Sequence, residues 1–301
     1  MVRAFGEKSV LDCLIVGGGP AGLTAAIYLA RYRRRVAVYD SGQSRAAWIP
    51  KSRNYPGFPT GIAGREFLQL LRRQAQSYEV PIVKAHIDAL EKTSDGFAGQ
   101  CDNTSIAART ALLATGIVDD APEMDGIDDA VRQGLVRYCP VCDGYEATDQ
   151  KIAVLGAGPG ALAKAKFLRA YSRDVTLLAT HEFGPREQAD AESAGIRIRG
   201  TGATLRVVGK KIAAESFEGT AEFDALYPAL GCHVGSGLAA GLGAATTDVG
   251  CLKVDEHQQT SVTGLFAAGD VVSDLHQIAV GAGHAAIAAT RIHKVLPASP
   301  R

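Results

Sequence analysis

Leu14-Ile15-Val16-Gly17-Gly18-Gly19-Pro20-Ala21-Gly22 decides the fold of the N-terminal part of this chain. It joins the end of an apolar run, Leu11 to Val16, to a glycine turn and then to apolar residues at helical spacing. Strand, turn and helix in that order are typical of a nucleotide-binding α/β unit. The helix that begins after the turn directs free backbone amides and a partial positive charge at its N-terminus, where phosphates bind.

Each glycine of the turn has a predicted role. Gly17 makes the turn, Gly19 lets the backbone approach a pyrophosphate, and Gly22 lets the helix close on the strand. The next strand runs from Val36 and ends at Asp40, which lies 23 residues after Gly17, where a ribose-binding carboxylate belongs. We therefore predict a dinucleotide site formed by Gly17, Gly19, Pro20, Ala21, Gly22 and Asp40.

The same pattern occurs again 139 residues later. Ala153-Val-Leu-Gly-Ala-Gly-Pro-Gly-Ala161 aligns without a gap, so a second strand, turn and helix pass through Gly156, Gly158 and Ala161. The second strand of this copy ends in Ala179-Thr180-His181, which offers neither an acid for a ribose hydroxyl nor an arginine pair for a 2′-phosphate. We therefore expect a pyrophosphate cradle without a sugar-binding group. Three nearby cations are either solvated or contribute charge to this site: Lys164, Lys166 and Arg186.

Two cysteines stand two residues apart in Tyr138-Cys139-Pro140-Val141-Cys142-Asp143-Gly144. Thiols at that spacing can close a small, reducible disulfide, and Pro140 favours a tight turn that begins a helix and stabilises thiolate. Half of a zinc site and an inert structural disulfide are the alternatives. A zinc site needs a second pair of ligands, which the other cysteines do not form, and six cysteines without a secretion signal indicate a reducing compartment. A redox-active pair is therefore predicted, and no metal.

Composition limits the classes of function. A chain of 301 residues has room for about two domains, and its net charge of zero argues against nucleic acid or an anionic membrane as partner. No apolar run approaches the roughly 20 residues needed to cross a bilayer. Residues 1–10 lack the apolar core of a signal peptide, so we expect a cytoplasmic protein.

The rest of the chain alternates between further strands and helices, which makes the fold class α/β. Asn54-Tyr-Pro-Gly-Phe-Pro59 lies in a turn-rich loop over residues 41–63, and the polar stretch 118–137 is interpreted as a crossing between domains. The remaining predicted elements are a helix over 64–78, a small β-region over 81–107, a strand over 111–114 ending at Thr115-Gly116, strands near 196–198, 203–208 and 222–229, a strand ending at Gly269-Asp270, and a long helix after His276-Gln277.

In the order of its motifs the chain resembles the low-molecular-weight thioredoxin reductase family of flavoproteins. The motifs are Gly17-Gly-Gly-Pro-Ala-Gly22, Ala114-Thr-Gly116, Cys139-Pro-Val-Cys-Asp143 and Gly264-Leu-Phe-Ala-Ala-Gly-Asp270, and Asn54-Tyr-Pro-Gly-Phe58 and Thr260-Ser261 also match. The resemblance implies two Rossmann-like three-layer nucleotide-binding domains, the second inserted into the first. It places FAD in a discontinuous domain of residues 1–117 and 232–301, and the cysteines in a pyridine-nucleotide-like domain of residues 118–231.

The resemblance also implies roles for residues. Cys142 is the flavin-proximal sulfur, Cys139 attacks the partner, and Asp143 protonates a thiolate. The family implies a homodimer and a path of electrons from NADPH through FAD and the disulfide to a thioredoxin-like protein. It adds cofactor-binding residues outside the glycine turn: Asn54, Thr115, Gly116, Gly269, Asp270, His276, Gln277 and Ile278.

Two positions depart from the family pattern. His276-Gln277 replaces the usual Arg-Gln, and Ala179-Thr180-His181 replaces the His-Arg-Arg run that holds the 2′-phosphate of NADPH. NADPH is therefore expected to be a poor donor, which leaves NADH, a second flavin or ferredoxin as sources of electrons. The function predicted is an FAD-dependent disulfide oxidoreductase acting on a thioredoxin-like protein or another disulfide. A dithiol oxidase that passes electrons to oxygen and a non-enzymatic redox-sensing flavoprotein are the alternatives.

Overall fold

The computed structural model describes residues 10–273 and 275–298, so residues 1–9, where an ordinary N-terminus is expected, lie outside it. The chain divides into two compact units. The first unit contains the described residues up to Ala47, the segment Gly64–Val118 and the described residues from His233 onward. The second unit contains Trp48–Ala63 and Asp119–Cys232.

Strands and helices alternate through most of the described chain. The strands are β1 Leu11–Val16, β2 Val36–Asp40, β3 Ile82–Lys84, β4 Ala89–Thr93, β5 Gly96–Cys101, β6 Thr104–Leu113, β7 Ile117–Asp119, β8 Ile152–Gly156, β9 Val175–Ala179, β10 Arg197–Arg199, β11 Thr204–Val208, β12 Lys211–Ser216, β13 Gly219–Phe223, β14 Ala225–Ala229, β15 Cys232–Val234 and β16 Leu265–Ala267. The helices are α1 Pro20–Arg31, α2 Gly64–Gln76, α3 Ile127–Arg132, α4 Pro140–Asp143, α5 Gly158–Leu168, α6 Pro185–Ser193, α7 Gly237–Ala240 and α8 Ile278–Val295, with 3-10 turns at Arg45–Trp48 and Tyr145–Ala147.

The sheet of the first unit combines strands from both ends of the chain. Its order is β3-β2-β1-β6-β5-β4, and β16 pairs in parallel with the C-terminal half of β6. β3, β2, β1, β6 and β16 are parallel, while β4 and β5 run antiparallel beside the N-terminal half of β6. Because the carboxyl ends of the parallel strands meet at one edge, the loops that follow β1, β2, β6 and β16 meet there too.

Small side chains allow α1 and α8 to pack closely against one face of this sheet. Ala25 and Ala26 of α1 are fully buried in the same cluster as Ala285 and Ala288 of α8 and as Leu112 of β6. The long Ala-rich helix predicted near the C-terminus is thus a core helix. It ties the C-terminal segment to the N-terminal one, because neither helix buries these alanines alone.

The second unit is a smaller α/β unit with the same beginning. Its four parallel strands have the order β10-β9-β8-β14, and β11-β12-β13 form a separate antiparallel sheet. α5 packs its buried residues Ala161, Leu162, Ala165 and Leu168 in the core with strands β8, β9 and β14. The repeat seen in the sequence is therefore two copies of one strand, turn and helix arrangement.

Three sequence expectations need correction. The 81–107 region and the strand over 111–114 were predicted separately, yet β6 runs unbroken from Thr104 to Leu113. The strand predicted over 222–229 is two strands, β13 and β14, and β12 was not predicted. Residues 48–63, placed by sequence with the flavin domain, group with the second unit. Among the described residues, no helix is long and apolar enough to cross a membrane.

Candidate functional site

The glycine turn after β1 lies against three loops of the first unit. Gly17 has a φ of +106°, and a Cβ there would lie 2.3 Å from the carbonyl oxygen of Ala114. At Gly22 a Cβ would lie 1.9 Å from the carbonyl oxygen of Gly17, so no side chain fits. The predicted roles of these two glycines, in the turn and in the contact of helix with strand, agree with this geometry.

Asp40 ends β2 and is 5% exposed. One carboxylate oxygen accepts a hydrogen bond from the backbone N–H of Gly42 at 3.0 Å, and the other pairs with the guanidinium of Arg72 on α2. A Cβ on Gly18 would lie 2.5 Å from that carboxylate, which shows how closely the acid approaches the glycine turn. Arg72 was not predicted from the sequence, because nothing in the local pattern of α2 connects it to Asp40.

The loop after β6 carries Thr115 and Gly116. Thr115 donates its hydroxyl hydrogen to the carbonyl of Gly235 at 2.6 Å. Gly116 has a φ of +67°, and its carbonyl accepts a hydrogen bond from the N–H of Gly235 at 2.9 Å. These bonds join the two segments of the first unit beside the glycine turn.

The segment after β16 lies at the same edge of the first unit's sheet as the glycine turn. Gly269 has a φ of +87°, and a Cβ there would lie 3.0 Å from the Cβ of Ala21 at the start of α1. Asp270 forms a half-buried ion pair with Arg45 at 3.8 Å. Gln277 precedes the first residue of α8, Ile278, and its carbonyl accepts the N–H of Gly281.

Most residues predicted to bind the cofactor therefore lie along one edge of the first unit. Asn54 belongs to the second unit of the structure. There its side-chain amide donates to the carbonyl of Val141 at 3.5 Å, next to the cysteine pair, and its carbonyl oxygen accepts from Ser52. A role for Asn54 in binding FAD stays a prediction.

The second unit holds the cysteine pair as a disulfide, with the Cα atoms of Cys139 and Cys142 5.3 Å apart. Cys139 caps the single turn of α4 and Pro140 is its first residue, as the sequence predicts for proline at this position. The N–H of Cys142 donates to the carbonyl of Cys139 at 3.0 Å. At Gly144 a Cβ would lie 2.6 Å from the carbonyl oxygen of Pro140, so glycine is required where this turn ends.

Asp143, which follows the second cysteine directly, is half-buried and hydrogen-bonded. The hydroxyl of Tyr227 donates to its Oδ1 at 2.8 Å, and Arg137 donates to its backbone carbonyl at 3.2 Å. Burial raises the pKa of Asp143 to about 6, against the lowering effects of the Tyr227 hydrogen bond and the Arg137 charge. A carboxyl group of that pKa can hold a proton close to neutral pH, as a general acid must.

The second glycine turn follows β8. A Cβ on Gly156 would lie 2.7 Å from the carbonyl oxygen of Ala229, Gly158 has a φ of +67°, and Ala161 is buried. Thr180 bonds back to the carbonyl of Gly156 beyond the end of β9, and the ring of His181 is exposed. The second glycine turn is therefore present, and strand β9 beside it ends without an acid or an arginine.

Two of the three nearby cations have other partners. Lys164 donates to the carbonyls of Pro228 at 2.5 Å and Tyr138 at 3.4 Å, and Lys166 pairs with Asp190 at 2.6 Å. Arg186 is exposed on α6. Lys164 is therefore already engaged in the segment that carries the cysteines, which opposes its use for a 2′-phosphate.

Comparisons with known proteins agree with the motif order. A family model described as pyridine nucleotide-disulphide oxidoreductase matches residues 11–291. A thioredoxin reductase of Mycolicibacterium smegmatis is 29% identical, and the alignment covers 94% of this chain and 96% of that protein. The thioredoxin reductase structure from Streptococcus pyogenes superimposes with a TM-score of 0.87 at 26% identity, covering 95% of this chain and 97% of that one. The crystal structure of HlmI superimposes with a TM-score of 0.88 at 27% identity, covering 97% and 94%.

Proposed function

The chain belongs to the pyridine nucleotide-disulphide oxidoreductase family, and from that premise we propose that it carries electrons between FAD and the Cys139–Cys142 pair and on to a thioredoxin-like protein or a small disulfide. It is a thioredoxin reductase-like, FAD-dependent disulfide oxidoreductase, and the proposal concerns its residues, donor and partner. The observation that carries it is a disulfide followed directly by a half-buried acid, Asp143, whose pKa is raised to about 6.

The first unit fits FAD. Close packing at Gly17 and Gly22 fixes the turn that precedes α1, whose free backbone amides can bind a pyrophosphate, and Asp40 supplies an acid beside the turn. Bound FAD supplies an electron pair to the disulfide, or accepts one from the dithiol. Arg72 holds and neutralises Asp40.

The second unit supplies the sulfur and the proton. Opening the disulfide takes up two electrons and leaves two sulfurs, each of which carries a proton when the thiol forms. Asp143 gives one proton to a leaving sulfur and takes it back when the disulfide re-forms. In the assignment that the family resemblance implies, Cys142 exchanges electrons with the flavin and Cys139 attacks the partner.

The donor is proposed to be something other than NADPH. The cradle at Gly156 and Gly158 accommodates a pyrophosphate, yet Ala179-Thr180-His181 offers no charged group to the ribose or to a 2′-phosphate. NADH, a second flavin nucleotide or ferredoxin remain as donors within this proposal. We further propose a homodimer and a cytoplasmic location.

The same observation favours a second candidate, a dithiol oxidase. A site that binds NADPH weakly suits a reaction in which a dithiol reduces the pair, the pair reduces FAD, and oxygen accepts the electron pair as hydrogen peroxide. Aerobic turnover with a small dithiol, measured as peroxide formed per disulfide formed, separates the two directions. A flavin that is reduced but turns over neither with a disulfide nor with oxygen would indicate a redox sensor.

An anaerobic reductive titration tests the role of the pair without a physiological donor. Wild type should take up about two electron pairs per chain, one for FAD and one for the disulfide. Cys142→Ser should bind FAD normally, take up about one pair and lose disulfide reduction. Cys232→Ser is the matched control and should behave as wild type. An active Cys142→Ser enzyme would remove the cysteine pair from the mechanism.

A further inference from the structure

Three side chains hold the cysteine-bearing segment 138–144 in the second unit. Lys164 bridges the carbonyls of Tyr138 and Pro228, and Arg137 bridges the carbonyls of Gly134 and Asp143. The hydroxyl of Tyr227 donates a hydrogen bond to Oδ1 of the Asp143 carboxylate at 2.8 Å. The first two act on the backbone, so Tyr227 is the group that acts on the acid itself.

Tyr227 is held rigidly. It lies in the middle of β14, pairs in register with Val154 of β8, and its side chain is 0% exposed. Its ring packs in the core cluster that also contains Ala147, Ile152 and Leu168. A ring packed in this way holds its phenol oxygen in place, 2.8 Å from Oδ1 and 3.3 Å from the backbone carbonyl oxygen of Asp143, so the shorter hydrogen bond goes to the carboxylate.

The phenol is a donor and not a second acid. Burial and the charge of Asp143 raise the pKa of Tyr227, so its proton stays on the phenol oxygen at any physiological pH. With Oδ1 of Asp143 accepting this bond, the proton that Asp143 exchanges is carried by Oδ2. A hydrogen bond to the charged carboxylate also favours its ionised form.

We propose that Tyr227 is a positioning residue of the disulfide chemistry, holding one carboxylate oxygen of Asp143 so that the other exchanges a proton with the cysteine pair. This inference rests on the proposed function, in which Asp143 is the acid. Two other charged groups act on Asp143, Arg137 before α4 and Glu146 in the turn after it, and Glu146 is paired with Arg53 at 3.4 Å. Lys164 on α5 contacts the backbone of the same segment at the carbonyl of Tyr138, and the thiols of Cys139 and Cys142 titrate once the disulfide is reduced.

The test is Tyr227→Phe, which removes the hydroxyl and keeps the ring. The reaction is single-turnover reduction of the disulfide by dithiothreitol in the FAD-loaded protein, followed by trapping of the thiols. For each protein the rate is measured between pH 5 and 9 and divided by the fraction of dithiothreitol present as thiolate, which gives a separate midpoint for each protein. Tyr145→Phe makes the same change on a ring that is 78% exposed, and Asp143→Asn reports complete loss of the acid.

Wild type should lose its acid assistance as the pH rises through about 6, where Asp143 ionises. Removing the Tyr227 bond disfavours the carboxylate, so in Tyr227→Phe this midpoint should move up by about one pH unit. The low-pH rate should also fall about 3-fold to 10-fold because the acid is no longer oriented. Tyr145→Phe should follow wild type, and Asp143→Asn should show no midpoint in this range.

A Tyr227→Phe midpoint equal to that of wild type would overturn the inference even if the rate or the stability fell, because a structural role does not move a titration. If Tyr227→Phe fails to fold, 3-fluorotyrosine at position 227 is a stronger donor and should move the midpoint down. A midpoint equal to that of wild type in the 3-fluorotyrosine protein would also overturn the inference. If the rate of Asp143→Asn and its pH dependence equal those of wild type, Asp143 is not the acid, and the proposed function fails together with the role of Tyr227.

Discussion

Asp40 and Arg72 make an ion pair in which only one partner was predictable. Asp40 stands where a strand ends, at a fixed distance from the glycine turn, so its place follows from local sequence. A carboxylate that is 5% exposed is costly to bury unless it is paired, and the structure supplies Arg72, a helical residue 32 positions away, as its partner. The burial of Asp40 requires a cationic partner, but the local sequence does not show which residue that partner is.

Replacing Arg72 with methionine should lower both stability and cofactor content. The variant leaves the buried carboxylate of Asp40 without its counter-charge, and breaking such a pair destabilises by about 3–5 kcal/mol when both partners are buried. The side chain of Arg72 is 32% exposed, so solvent reduces this to about 1–3 kcal/mol. Thermal unfolding and the FAD-to-protein absorbance ratio provide the measurement.

Arg73→Met is the matched control for this prediction, because the exposed Arg73 is the next residue of the same helix. It should change neither quantity. Equal behaviour of the Arg72 and Arg73 variants would mean that Asp40 tolerates burial without its partner.

Tyr227 shows the same limit of sequence reasoning beside the cysteine pair. Asp143 was predicted from its place after Cys142, and the strand near 222–229 was predicted from its apolar run. The contact of the two residues spans 84 positions and depends on the order β8-β14 in the sheet. Residues adjacent in sequence to a motif could be predicted, while those brought to it by strand pairing could not.

At the scale of elements, a repeat of the sequence was more informative than propensity. The alignment of Gly17 with Gly156 predicted β8, α5 and β9, and the structure has all three. The β11-β12-β13 sheet was predicted incompletely because its strands are short and its turns lie at Gly209 and Gly219, both with positive φ, inside a stretch without a clear period. Short antiparallel strands carry little periodicity of their own.

The end of β9 supports a prediction about the donor. Without an arginine pair, NADPH loses charge-assisted bonds of roughly 1.5–3 kcal/mol each, which weakens its binding by at least about tenfold and up to about a thousandfold. Thr180→Arg with His181→Arg should recover this difference for NADPH and leave NADH unchanged. Dissociation constants and the rate of flavin reduction measure both effects.

Thr204→Arg, which places an arginine on an exposed position at the start of β11, serves as the control for added charge. It should leave NADPH binding as in wild type. If the wild-type protein binds NADPH at about micromolar concentration and its flavin is reduced fast, the prediction that Ala179-Thr180-His181 makes NADPH a poor donor is wrong.

At the scale of the whole molecule, the insertion follows from how the first unit is built. Its sheet needs β16, and its helix layer needs α8, both of which come after the second unit in the chain. Leu112 of β6 and Phe266 of β16 are fully buried in one cluster, so the two segments share a single core. The second unit has clusters of its own, formed by residues between Met124 and Leu230.

Excising residues 119–232, the larger of the two segments of the second unit, should therefore leave a folded cofactor-binding protein. The carbonyl of Gly116 and the N–H of Gly235 are 2.9 Å apart, so Val118 can be joined to His233 by a linker of about four Gly and Ser residues. We expect this chain to bind FAD within about tenfold of full-length affinity and to take up one electron pair instead of two, because the cysteines are gone.

The comparison is a chain that ends at Ala229 and so lacks β16 and α8. Although it keeps the first glycine turn and Asp40, it should not bind FAD, because Phe266 and the alanines of α8 are missing from the core around α1. Circular dichroism and FAD content report on both variants. The opposite result, in which the excised chain is unfolded and the truncated chain binds FAD, would mean that the N-terminal segment alone makes the cofactor domain and that α8 serves another purpose.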